Sequence, residues 1–252
     1  MIALIPARAG SRRIPGKNMR RLAGHPLLAY TLAAAQQSGV FDRLVVSTDD
    51  PQAAALAVSA GADVHERRAE HATDDSPDID WVRDVLRVYP EADAFAILRP
   101  TSPFRSASTI RTACASWMAQ QPADSLRAVR FTTEHPGKMW VLATAGRMVP
   151  LLPHHFLCRD WAGPLVPWHS SPTQCLPVYV VQTAGLEIAW ARTVHLRQSI
   201  SGTAVLSYLT EGYESLDLNS EDDWTRAEAL VASGAAVLPT LDLAGVSPDP
   251  AA

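Results

Sequence analysis

The first 120 residues alternate short apolar runs with segments of helical period, and this alternation narrows the fold more than any other feature of the chain. Ile2 to Ile5, Leu44 to Val46, a run opening at Val64, and Ala94 to Leu98 each read as a short buried strand. Helix candidates lie between and after them. Pro26 to Gln37 places Leu28, Thr31, Leu32 and Ala35 on one face and stops at Gly39. Asp50 and Pro51 form a cap and first-turn pair for a helix running to about Ala60. Ile79, Val82, Leu86 and Tyr89 mark a third helix, and Ile110, Ala113, Cys114 and Trp117 a fourth. The pattern predicts an α/β fold: a mostly parallel sheet flanked by helices on both faces. In such sheets ligands sit at the carboxyl ends of the strands. Three polar clusters follow strands here: the opening loop, Ser47 to Asp50, and Arg99 to Arg105.

The second half changes character. Leu126 to Phe131, Met139 to Leu142, Val178 to Gln182 and Leu186 to Trp190 read as β segments with little helix between them. Val149 to Pro177 is rich in proline, histidine and tryptophan. It reads either as an arm that packs on a second subunit or as a loop folded over the core. A strand is expected at Tyr213 to Leu218. It leads into a helix marked by Trp224, Ala227, Leu230 and Val231, with Ser220 as cap and Asp223 three residues on. Residues 239–252 lack apolar periodicity and are expected to be disordered. The reading is one domain over residues 1–238, with an inserted β-rich arm at about 132–200.

The loop after the first strand, in IALIPARAGSRRIPGKN, holds Gly10, Ser11 and Gly16 together with Arg8, Arg12, Arg13 and Lys17. Glycines let backbone N–H groups approach phosphate oxygens, and the cations neutralise them. The spacing fits neither a Walker motif nor GxGxxG, and Asn18 stands where a Walker loop has its magnesium-binding hydroxyl. A triphosphate cradle and a surface turn with solvated arginines both remain open on this pattern alone. Asp217 and Asn219 lie two apart, so a strand would put them on one face and offer two oxygens to a hard cation such as magnesium. The alternative is a strand-end acid followed by a turn residue.

Several function classes are excluded or disfavoured. Net charge is −4 over 252 residues, which argues against a broad nucleic-acid or anionic-membrane surface. No apolar run reaches membrane-spanning length, and the chain enters its first strand directly from Met1 without a signal-peptide pattern. Cys114, Cys158 and Cys175 show no CxxC spacing, which points to a reducing cytoplasm rather than a disulfide framework or a zinc site. His154, His155 and His169 lack metal-ligand spacing, and Ser47 and Ser102 lie outside any GxSxG elbow. His135 and Lys138 form a small basic cluster beside a Pro136-Gly137 turn.

IPARAGSRRIPGKN, VVSTDD, LRPTSPFR, HPGKMW and SLDLNSEDDW occur in the order found in the acylneuraminate cytidylyltransferase (CMP-sialic acid synthetase) family, whose relatives act on legionaminate, pseudaminate and Kdo. The chain resembles that family over roughly residues 1–233. The resemblance implies a Rossmann-like nucleotidyltransferase fold, a requirement for CTP and magnesium, a homodimer, and no nucleic-acid or membrane partner. It implies transfer of CMP from CTP to a 2-keto sugar acid or similar small acid, with release of pyrophosphate. Arg12, Lys17 and Asp217 would be catalytic. Arg8, Ala9, Gly10, Ser11, Arg12, Lys17, Asn18, Arg67, Pro100 and Thr101 would surround the nucleotide. Ser102, Arg105, Lys138 and Gln174 would face the acceptor, and Asp217 and Asn219 would hold the metal. Four departures stand out: Arg13 in place of a glycine, Asn219 in place of an aspartate, Arg99 in place of a glutamine, and Thr173 in place of an arginine. Without that last arginine, an acceptor carboxylate needs another cation, for which Arg99, Arg105, Lys138 and Arg159 are candidates. Two other readings stay open. One is a glycosyltransferase of related fold, although Asp49-Asp50 is not the Asp-x-Asp such enzymes usually carry between their nucleotide and acceptor halves; the other is a CTP-binding homologue that has lost turnover.

Overall fold

The strand Ile2–Pro6 (β1) is buried over its first four residues because it has strands on both edges and apolar layers on both faces. In the computed structural model, which describes residues 1–152 and 167–241, it opens an α/β chain. Strands β2 (Arg21–Leu22) and β3 (His25–Pro26) form a small hairpin that leads into α1 (Leu27–Ser38). Next come β4 (Arg43–Thr48), α2 (Pro51–Ser59), β5 (Asp63–Glu66), α3 (Asp78–Val88) and β6 (Ala94–Ile97). They are followed by α4 (Ala107–Ala119), β7 (Ser125–Phe131), β8 (Trp140–Leu142) and β9 (Met148–Pro150). The described chain closes with β10 (Val180–Trp190), α5 (Ala191–Arg197), β11 (Val205–Leu209) and α6 (Glu221–Ala232).

Seven strands form one sheet in the order β11-β7-β10-β6-β1-β4-β5. β1 runs parallel to β4 and β6, β4 to β5, and β7 to β11, whereas β10 is antiparallel to β6. The chain leaves β1 towards β4 and β5, then returns to place β6 on the other side of β1. The crevice at the carboxyl ends of β1 and β6 is therefore the topological switch point, where ligands bind in open α/β sheets. One sheet face is covered by α1, α2 and α4, and the other by α3 and α5. α1 is apolar on nearly every side, with Leu27 to Ala35 all buried, so it is an internal helix rather than an amphipathic one.

The local signals act as expected. Asp50 caps α2 by accepting from Gln52 N at 2.9 Å, with Pro51 in the first turn. Gly39 ends α1 with φ 66°, a left-handed conformation natural to glycine. Ser220 and Asp223 form a capping box on α6. Two expectations are corrected, and two elements went unforeseen. The segments expected at Val178 to Gln182 and Leu186 to Trp190 are joined in one strand, β10, which starts at Val180. Tyr213 to Leu218 is not a strand: Leu216 N bonds back to Tyr213 O and Leu218 N reaches Thr101 O, so these groups serve a turn and a loop instead of a ladder. α5 and β11 carried no clear pattern, α5 because it is short and lacks a side-chain cap, β11 because no residue of this edge strand is fully buried.

The chain divides into two compact units, residues 1–129 with 182–252, and residues 130–181. In the second unit β8 and β9 pair as a hairpin. His135 bridges to Pro177 O at 2.9 Å, and Lys138 Nζ donates to His169 O and Ser171 O, which ties HPGKMW to the segment after residue 167. Residues 153–166, with Cys158, Arg159, His154 and His155, lie outside the described residues, as does the expected tail from residue 242 on. Among the described residues no helix is long and apolar enough to cross a membrane.

Candidate functional site

The loop after β1 is pinned at three places. Ala7 N donates to Ser47 O at 2.9 Å, Thr48 Oγ1 to Ala7 O at 2.6 Å, and Ala9 N to the Asp49 carboxylate at 2.7 Å, so the loop leaves β1 fastened to the end of β4. Ile14 is fully buried against Leu22, Leu27, Leu218 and Trp224, which pegs the middle of the loop to the α6 side of the core. Gly16 turns the chain with φ 62°, and its carbonyl accepts from Met19 N and Arg20 N. Asn18 Nδ2 then returns to Arg8 O at 3.1 Å, closing the loop on itself.

Between this loop and the ends of β6 and the Asp217 segment lies a cleft of about 400 Å³, a volume typical of small-molecule sites. Of the expected residues, Arg8, Ser11, Lys17, Asn18, Arg67, Pro100, Thr101, Asp217 and Asn219 line it. Arg13, Asp78, Arg99 and Ala184 line it as well. Five cations thus face two carboxylates, Asp78 and Asp217, and the cleft lining carries an excess of positive charge. A second hollow of about 310 Å³ adjoins it, sharing Arg8, Arg67 and Asp78 and reaching Thr73, Ser76 and Pro77.

The electrostatics show how the cleft is set. Burial lowers the pKa of Lys17, the Asp217 charge offsets part of that, and Arg13 and Arg8 lower it further. The Lys17 ammonium donates to Leu218 O at 3.0 Å. Arg67 is buried over the Trp81 ring, with its carbon 4.6 Å from the centroid, and donates from Nε to Ser47 Oγ at 3.1 Å. Burial pushes its pKa down to about 10, so it remains charged at neutral pH. Asp78 feels burial, which raises its pKa, but the charge and hydrogen bonds of Arg99, with Trp81 and Arg67, outweigh it and the net shift is downward. Arg99 itself is held between Asp78 and Glu187, each at 2.7 Å.

Two buried polar atoms of opposite character are left without a hydrogen-bond partner on cleft residues: Arg67 Nη2 and Asp217 Oδ1. Orphaned buried groups are rare, and an orphaned donor and acceptor on one cleft are the mark of a site shaped for a ligand. Asp217 Oδ2 accepts from Asn219 Nδ2, so the two side chains expected to bind metal do meet. Among the described residues no group of three or more His, Cys, Asp or Glu could hold a metal. A cation at Asp217 and Asn219 would therefore take its other oxygens from ligand and water, as magnesium does and zinc does not.

The remaining expected residues fall elsewhere. Arg12 does not line the cleft: its side chain is 85% exposed and its guanidinium pairs with Asp74, as does that of Arg8. Ala9 and Gly10 sit on the exposed rim of the loop. Arg105, expected at the acceptor, is instead a buried strut: its guanidinium donates to Thr31 Oγ1 at 3.0 Å, to Arg99 O at 3.3 Å and to Gly185 O. Burial there lowers its pKa to about 10. Ser102 is buried below the cleft wall beside Gly185. Lys138 and Gln174 belong to the second unit, where the Lys138 ammonium is engaged by two carbonyls and Gln174 is exposed. Asp78 and Ala184 were missed because no local motif marks them; the fold alone brings them to the cleft.

A family profile described as cytidylyltransferase matches residues 2–139, more than half of the chain. The chain belongs to the cytidylyltransferase family. The matched residues carry the loop, Arg67 and the Arg99 to Thr101 wall, whereas Asp217 and Asn219 lie beyond them. Over 118 residues the chain is 51% identical to a CMP-N,N'-diacetyllegionaminic acid synthase of Legionella pneumophila, a stretch covering 45% of this chain and 51% of that relative. Over 110 residues it is 44% identical to an N-acylneuraminate cytidylyltransferase of Escherichia coli O18:K1:H7, covering 44% of this chain and 26% of the relative. These matches span about half the length of the first relative and less of the second. Among solved structures, a CMP:2-keto-3-deoxy-manno-octonic acid synthetase complexed with CTP superposes with a TM-score of 0.64 at 16% identity, covering 92% of this chain and 98% of that one. That likeness is one of fold.

Proposed function

We propose that this cytidylyltransferase-family chain binds CTP in the cleft between β1 and β6 and transfers CMP to a 2-keto sugar acid of the nonulosonic or ulosonic type. The observation that carries the reading is the pair of orphaned groups, Arg67 Nη2 and Asp217 Oδ1, on a cleft with five cations. A donor and an acceptor left bare together suit a ligand that is both a polyanion and a cation carrier, as a metal triphosphate is. The names of the two relatives above, a legionaminate and an acylneuraminate enzyme, support the acceptor class.

In the reaction the acceptor hydroxyl oxygen forms a bond to the α-phosphorus of CTP, and the bond from that phosphorus to the bridging oxygen of pyrophosphate breaks. Such transfers need alignment and charge neutralisation more than covalent help. Lys17 and Arg8 would neutralise the β,γ-phosphates as negative charge gathers on the leaving group. Lys17 suits this because Leu218 O holds its ammonium in place at 3.0 Å. Asn18 braces the loop by its bond to Arg8 O, and the hollow at Thr73, Ser76 and Pro77 would take the base. Asp217 and Asn219 would hold magnesium, which supplies charge neutralisation at the phosphates when bound. Among the described residues, Arg99 is the one candidate for the acceptor carboxylate that lines the cleft.

The β8–β9 hairpin exposes Val141, Leu142, Met148 and Val149, with Leu142 at 82%. A second copy of the chain covering this face accounts for it, and sedimentation of Leu142→Glu against the unaltered chain reads that directly. A cytoplasmic location, where CTP is made, would suit this reaction. The test of function is a pyrophosphate-release screen with CTP and magnesium against a panel of nonulosonic acids, Kdo and unrelated small acids. Turnover with one acid class is the expected result; no calorimetric binding of CTP in the presence of magnesium sinks the proposal.

A further inference from the structure

Ser47 and His65 are register partners in the parallel pair β4–β5, so their side chains stand side by side on one face of the sheet. Ser47 Oγ lies 3.0 Å from His65 Nδ1 and accepts from Arg67 Nε at 3.1 Å. Ser47 is fully buried, and among the described residues its hydroxyl has these two partners and no other. A serine hydroxyl has one proton to give and two lone pairs to receive. One lone pair takes Arg67, and the proton goes to His65 Nδ1, which puts the imidazole proton on Nε2. Were Nδ1 protonated instead, two donors would converge on Ser47 Oγ and its own proton would be buried without an acceptor, a costly arrangement. The surroundings favour the neutral ring. Burial lowers the His65 pKa, Asp84 on α3 offsets part of that, and Arg67, Arg68 and His71 lower it further. Asp84 is itself engaged by His71, Arg68 and Arg87.

We infer that His65, acting through Ser47, is a positioning residue that sets the rotation of the Arg67 guanidinium in the cleft. The inference rests on the CTP reading and deepens it, since Arg67 lines both the cleft and the hollow that would take the base. Arg67 is fixed at its backbone, where its N donates to Thr48 O at 2.9 Å, and at its guanidinium, which lies over the Trp81 ring. A ring face attracts a cation without choosing its rotation. A directional bond at Nε does choose it. With Nε committed to Ser47, the buried Nη2, which has no partner in the protein, is left for the ligand. Ser47 is a good acceptor for Arg67 only while its proton has somewhere to go, and His65 Nδ1 is the place. His65 itself lines neither hollow, so it acts at one remove from any ligand.

The first test needs no ligand. Nitrogen NMR of the full chain at neutral pH should show His65 with its proton on Nε2 and an Arg67 Nε–H protected from exchange, and Ser47→Ala should abolish that protection. A proton on Nδ1, or protection unchanged in Ser47→Ala, overturns the inference. The second test is calorimetry with two probes, CTP with magnesium and inorganic tripolyphosphate, which has no base. His65→Leu should weaken CTP about threefold to tenfold, the worth of one hydrogen bond, and leave tripolyphosphate unchanged. His65→Asn sets an amide oxygen where Nδ1 stood and should keep the affinity of the unaltered chain. The Ser47→Ala, His65→Leu double variant should lose no more than Ser47→Ala alone, because His65 then has no relay to act through. Additive losses, a loss in His65→Asn equal to that in His65→Leu, or an equal loss of tripolyphosphate marks a general structural effect and overturns the inference, as does unchanged CTP binding in His65→Leu. If the unaltered chain binds tripolyphosphate but not CTP, the cytidylyl reading falls while the NMR series still decides whether His65 positions Arg67.

Discussion

Replacing Glu187 by glutamine tests whether the cleft wall is held by buried charge. Glu187, on β10, is 4% exposed. It takes Arg99 from one side at 2.7 Å and Arg127 from the other, and Arg127 is further fixed by Ser201 Oγ at 2.6 Å. Removing one partner of a buried ion pair costs about 3–5 kcal/mol, because a charge is left unpaired in a poor solvent for it. Two pairs are affected here, but Arg99 keeps Asp78 and glutamine can still accept one hydrogen bond, so the lower end, about 3 kcal/mol, applies. For a chain of this size each kcal/mol moves the melting temperature by about 2–4 °C, giving an expected fall of about 6–12 °C. The assay is thermal unfolding followed by circular dichroism, at low salt and at 0.5 M salt. Since the pairs are buried, the fall should be nearly the same at both. An Arg127→Met, Glu187→Leu double variant should recover part of the loss, as apolar replacement of a whole pair often does. Melting of Glu187→Gln within about 2 °C of the unaltered chain refutes the reasoning, since it puts the pair below 1 kcal/mol.

Other consequences are as direct. Arg105→Lys should lose two of the three bonds that join Thr31, Arg99 and Gly185, costing about 2 kcal/mol of stability; unchanged melting with a raised acceptor KM would return Arg105 to the acceptor site. Ser220→Ala removes the cap of α6 and should cost about 1 kcal/mol, read as a small fall in urea midpoint at constant slope, and no fall means the capping box is idle. Asp78 has a folded pKa below its unfolded value of about 3.9, so its contribution is present above that value and lost as pH falls through the folded one. The stability gap between the chain and Asp78→Asn should therefore narrow below about pH 4, and a gap constant down to pH 2.5 contradicts the pairing with Arg99.

What was legible in the chain was what short stretches decide by themselves. β1 and its loop, the Asp50-Pro51 start of α2, the Gly39 stop and the Ser220-Asp223 box depend on residues within one or two turns of each other, and all stand where they were expected. The α/β class followed for the same reason, since the period of apolar residues reports whether a segment is a strand or a helix. The Arg8, Lys17, Asn18, Asp217 and Asn219 constellation was named through the family resemblance, since the residue pattern alone left both the loop and the Asp217-Asn219 pair open. Elements without short-range marks were not legible: β10 looked like two strands, and the segment before α6 looked like one more, because a local apolar run does not say whether a sheet edge is there to receive it.

Sequence by itself determined that this chain would be a mostly parallel α/β protein with a cationic, glycine-bearing loop after its first strand. Only the tertiary structure decided how the loop's cations divide. Burial of Ile14 fixes Arg13 on the cleft, and a carboxylate 62 residues downstream of Arg12 holds that arginine outside it. It likewise turned Arg105 from a ligand candidate into a strut and brought Asp78 and Arg99 to the wall. The reason is physical: an isolated charge in a sequence has no partner, and the partner that folding supplies determines whether that charge is left for a ligand.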